Sequence, residues 1–314
     1  MDFRQLRYML TLAECRNMTR AAEKLYISQS ALSHYVKNVE QELGTQLFDR
    51  STTPMSLTYA GKCYMESARR ILMEDERLTK ELRDITHHMT GKLTVGTSRD
   101  RASYMIPRIL PRFAQSYPGI RTEVFTASGK KLMDALRSGQ VDMVLLPASW
   151  QEDAQGLCSE VIYTEELVLA AKAGALPASA RIAGENAVRP AALDQMPFFV
   201  LFQEHAMRSF CDAFFKRNRI KPQIKMEFSS NISCLRMAAT GMGVAIIPYL
   251  TTQLSNPGGE IELFSLGRSS ETWDVHIFYR KDAYLGQPEL DFIRLAKEIF
   301  SNEGYRTAHE GTGC

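Results

Sequence analysis

Thr19-Arg20-Ala21-Ala22-Glu23-Lys24-Leu25, followed by Ser28-Gln29-Ser30-Ala31-Leu32-Ser33 and closed by Leu43-Gly44, decides how the first part of this chain folds. Ala21, Ala22 and Leu25 fall at helical spacing behind Asn17 and Thr19, either of which can cap a helix. Tyr26-Ile27 breaks the pattern, and Ser28 caps a new helix carrying Ala31, Leu32, Tyr35, Val36, Val39 and Leu43. It stops at Gly44, which suits the left-handed position after a helix. Two helices joined by so short a turn cross steeply, as in a helix-turn-helix. Upstream, Phe3, Leu6, Leu10 and Ala13 predict one more amphipathic helix.

Downstream, Gln46 to Arg50, the polar Ser51-Thr52-Thr53-Pro54 and the run to Thr58 read as strand, turn and strand, a β-wing. From Tyr59 to about His88 there is no proline and only Gly61 as glycine, which predicts one helix of roughly 45 Å. Tyr64, Ala68, Ile71, Leu78, Leu82, Ile85 and Met89 keep the spacing of a coiled-coil seam, broken once at Asp75. The alternative is a long helix lying on its own domain.

After Thr90-Gly91, apolar runs alternate with helical patterns: Lys92 to Gly96, Ile120 to Phe125, Val141 to Leu146, Glu166 to Ala171, Phe198 to Phe202, Ile224 to Phe228, Gly243 to Ile247 and Val275 to Tyr279. This α/β order predicts mainly parallel sheets, in two halves that divide near Val161. The expected organisation is a winged helix-turn-helix over 1–58, a linker helix over 59–89 and a two-lobed α/β domain over 90–300. Lobe I takes about 90–161 and 268–300, with a last helix from about Pro288 to Phe300, and lobe II about 162–267. Residues 301–314 read as a polar, mobile tail.

With 45% hydrophobic and 24% charged residues among 314, collagen-like, low-complexity and disordered classes are excluded. Apolar runs such as Phe198 to Phe202 are far shorter than a membrane span, and Met1-Asp2-Phe3-Arg4 opens no apolar export segment, so the cytoplasm is expected. Six cysteines without a C-x-x-C pair indicate neither a disulfide scaffold nor a zinc cluster. Net charge is +2, and no gross basic patch announces a nucleic-acid partner.

Enzyme motifs do not fit. G-x-S-x-G is missing, and Gly61-Lys62, Gly91-Lys92 and Gly129-Lys130 lack the upstream glycine of a phosphate loop. Gly241-Met242-Gly243 precedes a strand instead of following one. His87-His88 on a helix point apart and hold no metal between them. No catalytic residue, metal or cofactor is therefore assigned. The enzymatic alternative would use Glu204 and His205 as acid and base.

The opening motifs, extended by Glu40-x-Glu42-Leu43-Gly44-x-x-Leu47-Phe48-x-Arg50 and Leu57-Thr58-x-Ala60-Gly61, resemble the winged helix-turn-helix of LysR-type transcriptional regulators. Ile106-Pro107, Leu110-Pro111-x-Phe113, Tyr117-Pro118, Leu136-x-x-Gly139-x-x-Asp142 and Gly241-x-Gly243-x-Ala245-x-x-Pro248 resemble that family's effector domain more loosely. The resemblance implies a two-lobed fold like that of periplasmic solute-binding proteins, and dimers or tetramers on promoter DNA that respond to a small effector. A transport solute-binding protein is the alternative, but it would lack the DNA-binding head. His34, Asn38 and the segment from Ser51 to Ser56 depart from the family by lacking its usual basic residues. Ala206 stands where some members carry an oxidant-sensing cysteine.

Gln29, Ser30, Ser33, His34 and Lys37 share one face near the start of the third helix, where a recognition helix meets base edges. Gln29 suits adenine and Leu32 a thymine methyl, while Ser30, Ser33, Lys37 and Arg50 suit phosphates of double-stranded DNA. In the α/β part, four strand-to-helix junctions converge on the crevice at the strands' carboxyl ends: Thr97-Ser98-Arg99, Ala127-Ser128-Gly129, Gln203-Glu204-His205 and Ser229-Ser230-Asn231. Helix N-termini there favour an anion, so the expected effector is a small carboxylate, with Arg99 and His205 as cations and Glu204 facing an amine-bearing end. Ordinary helix capping by serine and asparagine is the plainer reading of each junction alone.

Overall fold

The computed structural model describes residues 2–86, 89–153, 155–253 and 260–301, and the chain forms two compact units, Met1–His87 and His88–Cys314. His87-His88 and residues 302–314 of the expected tail lie outside the described residues.

In the first unit, α1 (Phe3–Cys15), α2 (Met18–Leu25) and α3 (Gln29–Leu43) are followed by β1 (Phe48–Asp49), β2 (Ser56–Leu57) and α4 (Tyr59–Ile85). Asn17 accepts the Arg20 N–H to cap α2, and Ser28 accepts that of Ala31 to cap α3. Tyr26 at φ 56° and Gly44 at φ 67° take the left-handed conformation that ends those helices. Met9, Leu12, Ala21, Leu32, Val36, Leu47, Phe48 and Met65 form the core. β1 and β2 pair antiparallel as the wing. Gly61 lets α4 start against that wing, because a Cβ there would lie 2.0 Å from the Leu47 carbonyl oxygen. α4 is 27 residues long, about 40 Å. Its first turns bury Met65 and Ala68, whereas Ile71, Leu78, Leu82 and Ile85 lie 37 to 67% exposed. Met89, expected as the seam's last member, lies beyond the helix and packs on a core of the second unit.

The second unit comprises β3 (Gly91–Thr97), α5 (Arg99–Ser116), β4 (Ile120–Thr126), α6 (Gly129–Arg137), β5 (Met143–Pro147), β6 (Leu157–Lys172), β7 (Ala187–Val188), β8 (Pro197–Leu201), α7 (Ala206–Arg217), β9 (Gln223–Phe228), α8 (Asn231–Ala239), β10 (Ala245–Pro248), β11 (Ile261–Leu266), β12 (Glu271–Arg280) and α9 (Gln287–Ser301). The large sheet runs β4-β3-β5-β12-β6-β11-β7, with β10 also on β6, and β8 pairs with β9. The expectation of mainly parallel sheets is corrected here. Among the described residues, parallel pairing joins β3 with β4 and β5, β7 with β11, and β8 with β9, with one more parallel bridge from Phe198 to Val244. The long strands β6 and β12 pair antiparallel with each other and bind β5, β10 and β11 in the same sense. A strand that leaves one core for another and a strand that returns must run in opposite directions.

One core holds α5 and α9 against β3 and β5, with Phe113 and Phe292 edge to face at 5.5 Å. Another collects α7 and α8 around β8, β10 and the second half of β6. A smaller one seats α6 against β5 and Phe278.

Candidate functional site

On α3, Leu32, Val36 and Val39 are buried. They stand at i, i+4 and i+7, so Leu32 belongs to the inward stripe and cannot meet a thymine methyl; that expectation is corrected. Ser30, Ser33, His34 and Lys37 repeat the same spacing on the outward stripe. Gln29, Ser30, His34 and Lys37 are exposed and Ser33 half-buried. The Ser30 and Ser28 hydroxyls share a hydrogen bond of 3.0 Å. Glu40, half-buried beside the wing, accepts the backbone N–H groups of Leu47 at 2.8 Å and Phe48 at 3.2 Å, and Arg50 donates to its other oxygen at 3.2 Å. Arg50 thus reaches the outward surface already sharing its charge.

In the second unit all four junctions border one cavity of about 520 Å³, though not through every residue expected. Ser98, Arg99, Ser128, Gly129, His205 and Asn231 line it. Thr97 does not: it is fully buried and donates to the Leu145 carbonyl at 3.1 Å, a core hydroxyl satisfied across the sheet. Gln203 is exposed and is not among the residues that line the cavity. Ser230 also stands outside it, because its hydroxyl donates to Asp100 at 2.8 Å and accepts from the Ile232 N–H. These three placements correct the sequence reading.

The helix N-termini differ in what they have left to offer. Ser98 caps α5 by accepting the Arg101 N–H at 3.3 Å. Asp100 takes the Asn231 N–H at 2.6 Å and so closes the start of α8. Ser128 and His205 stand in cap positions of α6 and α7 without any side-chain capping bond. Gly129 is needed because the Trp150 ring covers it: a Cβ would lie 2.1 Å from Trp150 Cζ2.

Sequence reasoning missed the wall formed by Arg101, Tyr104 and Trp273, which also borders the cavity. Buried Arg101 pairs with buried Glu165 at 3.6 Å, Trp273 donates its indole N–H to Glu165 at 2.9 Å, and the Tyr104 and Tyr163 hydroxyls meet at 2.8 Å. Burial pushes the Glu165 carboxyl above its usual range, with Arg101 opposing, and raises Tyr104 to about 12. Burial opposes the Arg101 charge, but Tyr104, Tyr163 and Glu165 outweigh it and hold the group protonated. Arg101 Nε and Glu165 Oε1 are buried without a hydrogen-bond partner. A fully buried partner for Arg101 could be found only through pairing across the sheet, which one sequence does not display.

Among the described residues no cluster of His, Cys, Asp and Glu could hold a metal, and no helix is long and apolar enough to cross a membrane. Burial raises the Cys211 thiol, and Cys234 to about 12, so neither is a ready nucleophile.

A winged helix-turn-helix unit followed by an α/β unit with a ligand-sized cleft at its helix N-termini defines a ligand-responsive, DNA-binding transcriptional regulator. Residues 3–62 match the family model for the bacterial regulatory helix-turn-helix protein of the lysR family, and residues 86–301 the one for the LysR substrate binding domain. The chain is 30% identical over 285 residues to the HTH-type transcriptional regulator ClcR of Pseudomonas putida, covering 90% of this chain and 94% of that protein. To the HTH-type transcriptional regulator BsdA of Bacillus subtilis it is 26% identical over 298 residues, 94% and 100% of the two chains. The fold is shared with a cysteine-to-aspartate variant of full-length OxyR from Pseudomonas aeruginosa, at TM-score 0.72, 24% identity and 95% and 94% coverage. It is shared too with full-length CbnR complexed with its target DNA, at TM-score 0.61, 23% identity and 95% and 99% coverage. The chain belongs to the LysR family of transcriptional regulators.

Proposed function

We propose that two copies of this chain pair through α4 and read promoter DNA in the cytoplasm with Gln29, Ser30, Ser33, His34 and Lys37, while Arg50 of the wing meets phosphate. The chain works through binding and catalyses no reaction. Residues 1–58 bind DNA, 59–89 join the copies and 90–300 bind a small anionic effector, a carboxylate.

The observation that carries the effector reading is the start of α6, where Ser128 makes no side-chain capping bond and Ser128, Gly129 and Lys131 line the cavity, since the first N–H groups of a helix favour an anion. Ser98, Arg99 and His205 border the same space. Exposure of Ile71, Leu78, Leu82 and Ile85 along one helix supports pairing, since such a stripe is stable only against a partner. An effector shifts the regulator only through unequal affinity for its conformations, and closing the α/β unit around the ligand supplies that inequality.

The test is a thermal-shift screen of the full chain against small carboxylates, followed by a reporter assay with the best binder. Ser98→Ala and Ser128→Ala should lose the effector response and keep DNA binding. A normal response in both would reduce these serines to structural residues.

A further inference from the structure

Asp100 stands in the first turn of α5, whose core is shared with α9, yet its carboxylate closes the start of α8, which belongs to another core. One oxygen accepts the Ser230 hydroxyl at 2.8 Å and the other the Asn231 N–H at 2.6 Å. Asp100 and Asn231 both line the cavity. The N-terminus of α8, which would otherwise be a second place for an anion, is therefore filled by the protein's own carboxylate. Close to it, Asn231 Oδ1 is buried with no hydrogen-bond partner, an acceptor that calls for a donor. The free α6 end and the buried Arg101 guanidinium, whose Nε has no partner, lie around the same space.

We propose that Asp100 sets the polarity of the effector. The ligand is anionic at the end that meets α6 and carries a hydrogen-bond donor, hydroxyl or ammonium, at the end that meets Asp100 and Asn231; a dianion long enough to span the cavity is rejected. This rests on reading the cavity as an anion-binding effector site. A second carboxylate brought to α8 would find its N–H donors taken and a like charge in place, whereas a donor group completes the Asn231 acceptor and is attracted by Asp100. Specificity thus comes from a repulsive element built into the site.

Matched five-carbon probes test it on the full-length protein by titration calorimetry: 5-aminopentanoate, with an ammonium end, and glutarate, with a second carboxylate. The wild type should bind 5-aminopentanoate more tightly than glutarate. Asp100→Ala should move that preference toward glutarate by about tenfold, the scale of one charge at a partly buried helix N-terminus. Asp100→Asn, which removes the charge but keeps one of the two acceptor oxygens, should shift it in the same direction by less. A wild type that prefers glutarate, a preference unchanged in both variants, or no binding of either acid by any of the three proteins overturns the proposal. Ser128→Ala separates it from the reading on which it rests. If that variant binds 5-aminopentanoate normally while Asp100→Ala still gains glutarate, the anionic end is misplaced and the role of Asp100 stands.

Discussion

Removing the Glu40 carboxylate should damage the wing in a way that depends on what replaces it. One oxygen, Oε1, receives both the Leu47 and Phe48 backbone N–H groups, while Oε2 faces the half-exposed Arg50. Leu47 and Phe48 are themselves buried, so Glu40→Ala strands two donors at about 1 to 3 kcal/mol each. Water reaching the space left behind favours the lower half of that range, about 2 to 4 kcal/mol in all. Glu40→Gln can place its amide oxygen where Oε1 was and keep both bonds, losing only a surface-type ion pair of about 0 to 1 kcal/mol. Trp150 and Trp273, the chain's two tryptophans, lie in the second unit, so their fluorescence in a urea titration reads that unit alone. Far-UV circular dichroism adds the helices of the first. Glu40→Ala should lower the midpoint of the dichroism transition specific to the first unit and leave the fluorescence transition in place, and Glu40→Gln should barely move either. Equal losses for the two variants would refute the reasoning, because they would mean that the charge, and not the backbone acceptor, braces the wing.

Leu78→Asp with Leu82→Asp should give a monomer in sedimentation and weaken DNA binding by more than any single phosphate contact, since pairing over two half-sites is lost; an intact dimer would move the interface elsewhere. Gly129→Ala must drive the Trp150 ring off the start of α6, which should red-shift its emission and weaken carboxylate binding, and unchanged spectra would contradict the close contact. The Lys297 ammonium at 2.6 Å, aided by Tyr279 and against the effect of burial, holds Glu160 below the usual carboxylate range. Its contribution to stability is therefore complete above that range and lost as pH falls through the lowered value. Thermal melts from pH 7 down to pH 3 should then show a shallower decline for Glu160→Gln than for the wild type.

Local signals told most about the first unit. Asn17, Ser28 and Gly44 act where a cap or a left-handed turn is a property of a few neighbouring residues, and they sit at those ends. The spacing of Leu32 to Val36 and Val39 already puts it inside, and a thymine contact considered for one residue without its stripe overlooks this. In the second unit the apolar run from Glu166 to Ala171 revealed only the deeply buried half of β6, while Leu157 to Glu165 carries mixed polarity and pairs with β12 more than a hundred residues away. Thr97 and Ser230 read as available in sequence because their partners, Leu145 and Asp100, come from elsewhere in the chain. The roles of Asp100, Arg101 and Trp150 are not legible in sequence for the same reason: they arise from what the fold sets opposite them.

The central claim, that the outward face of α3 reads base sequence, is tested most directly by selecting bound sites from random duplexes with the full-length protein and then titrating Gln29→Ala on a selected site and on non-specific DNA at one salt concentration. A bidentate contact is worth about 1 to 3 kcal/mol of discrimination, so the ratio of specific to non-specific affinity should fall about 5- to 150-fold while the non-specific affinity stays put. An unchanged ratio would contradict the claim and move sequence reading to another surface.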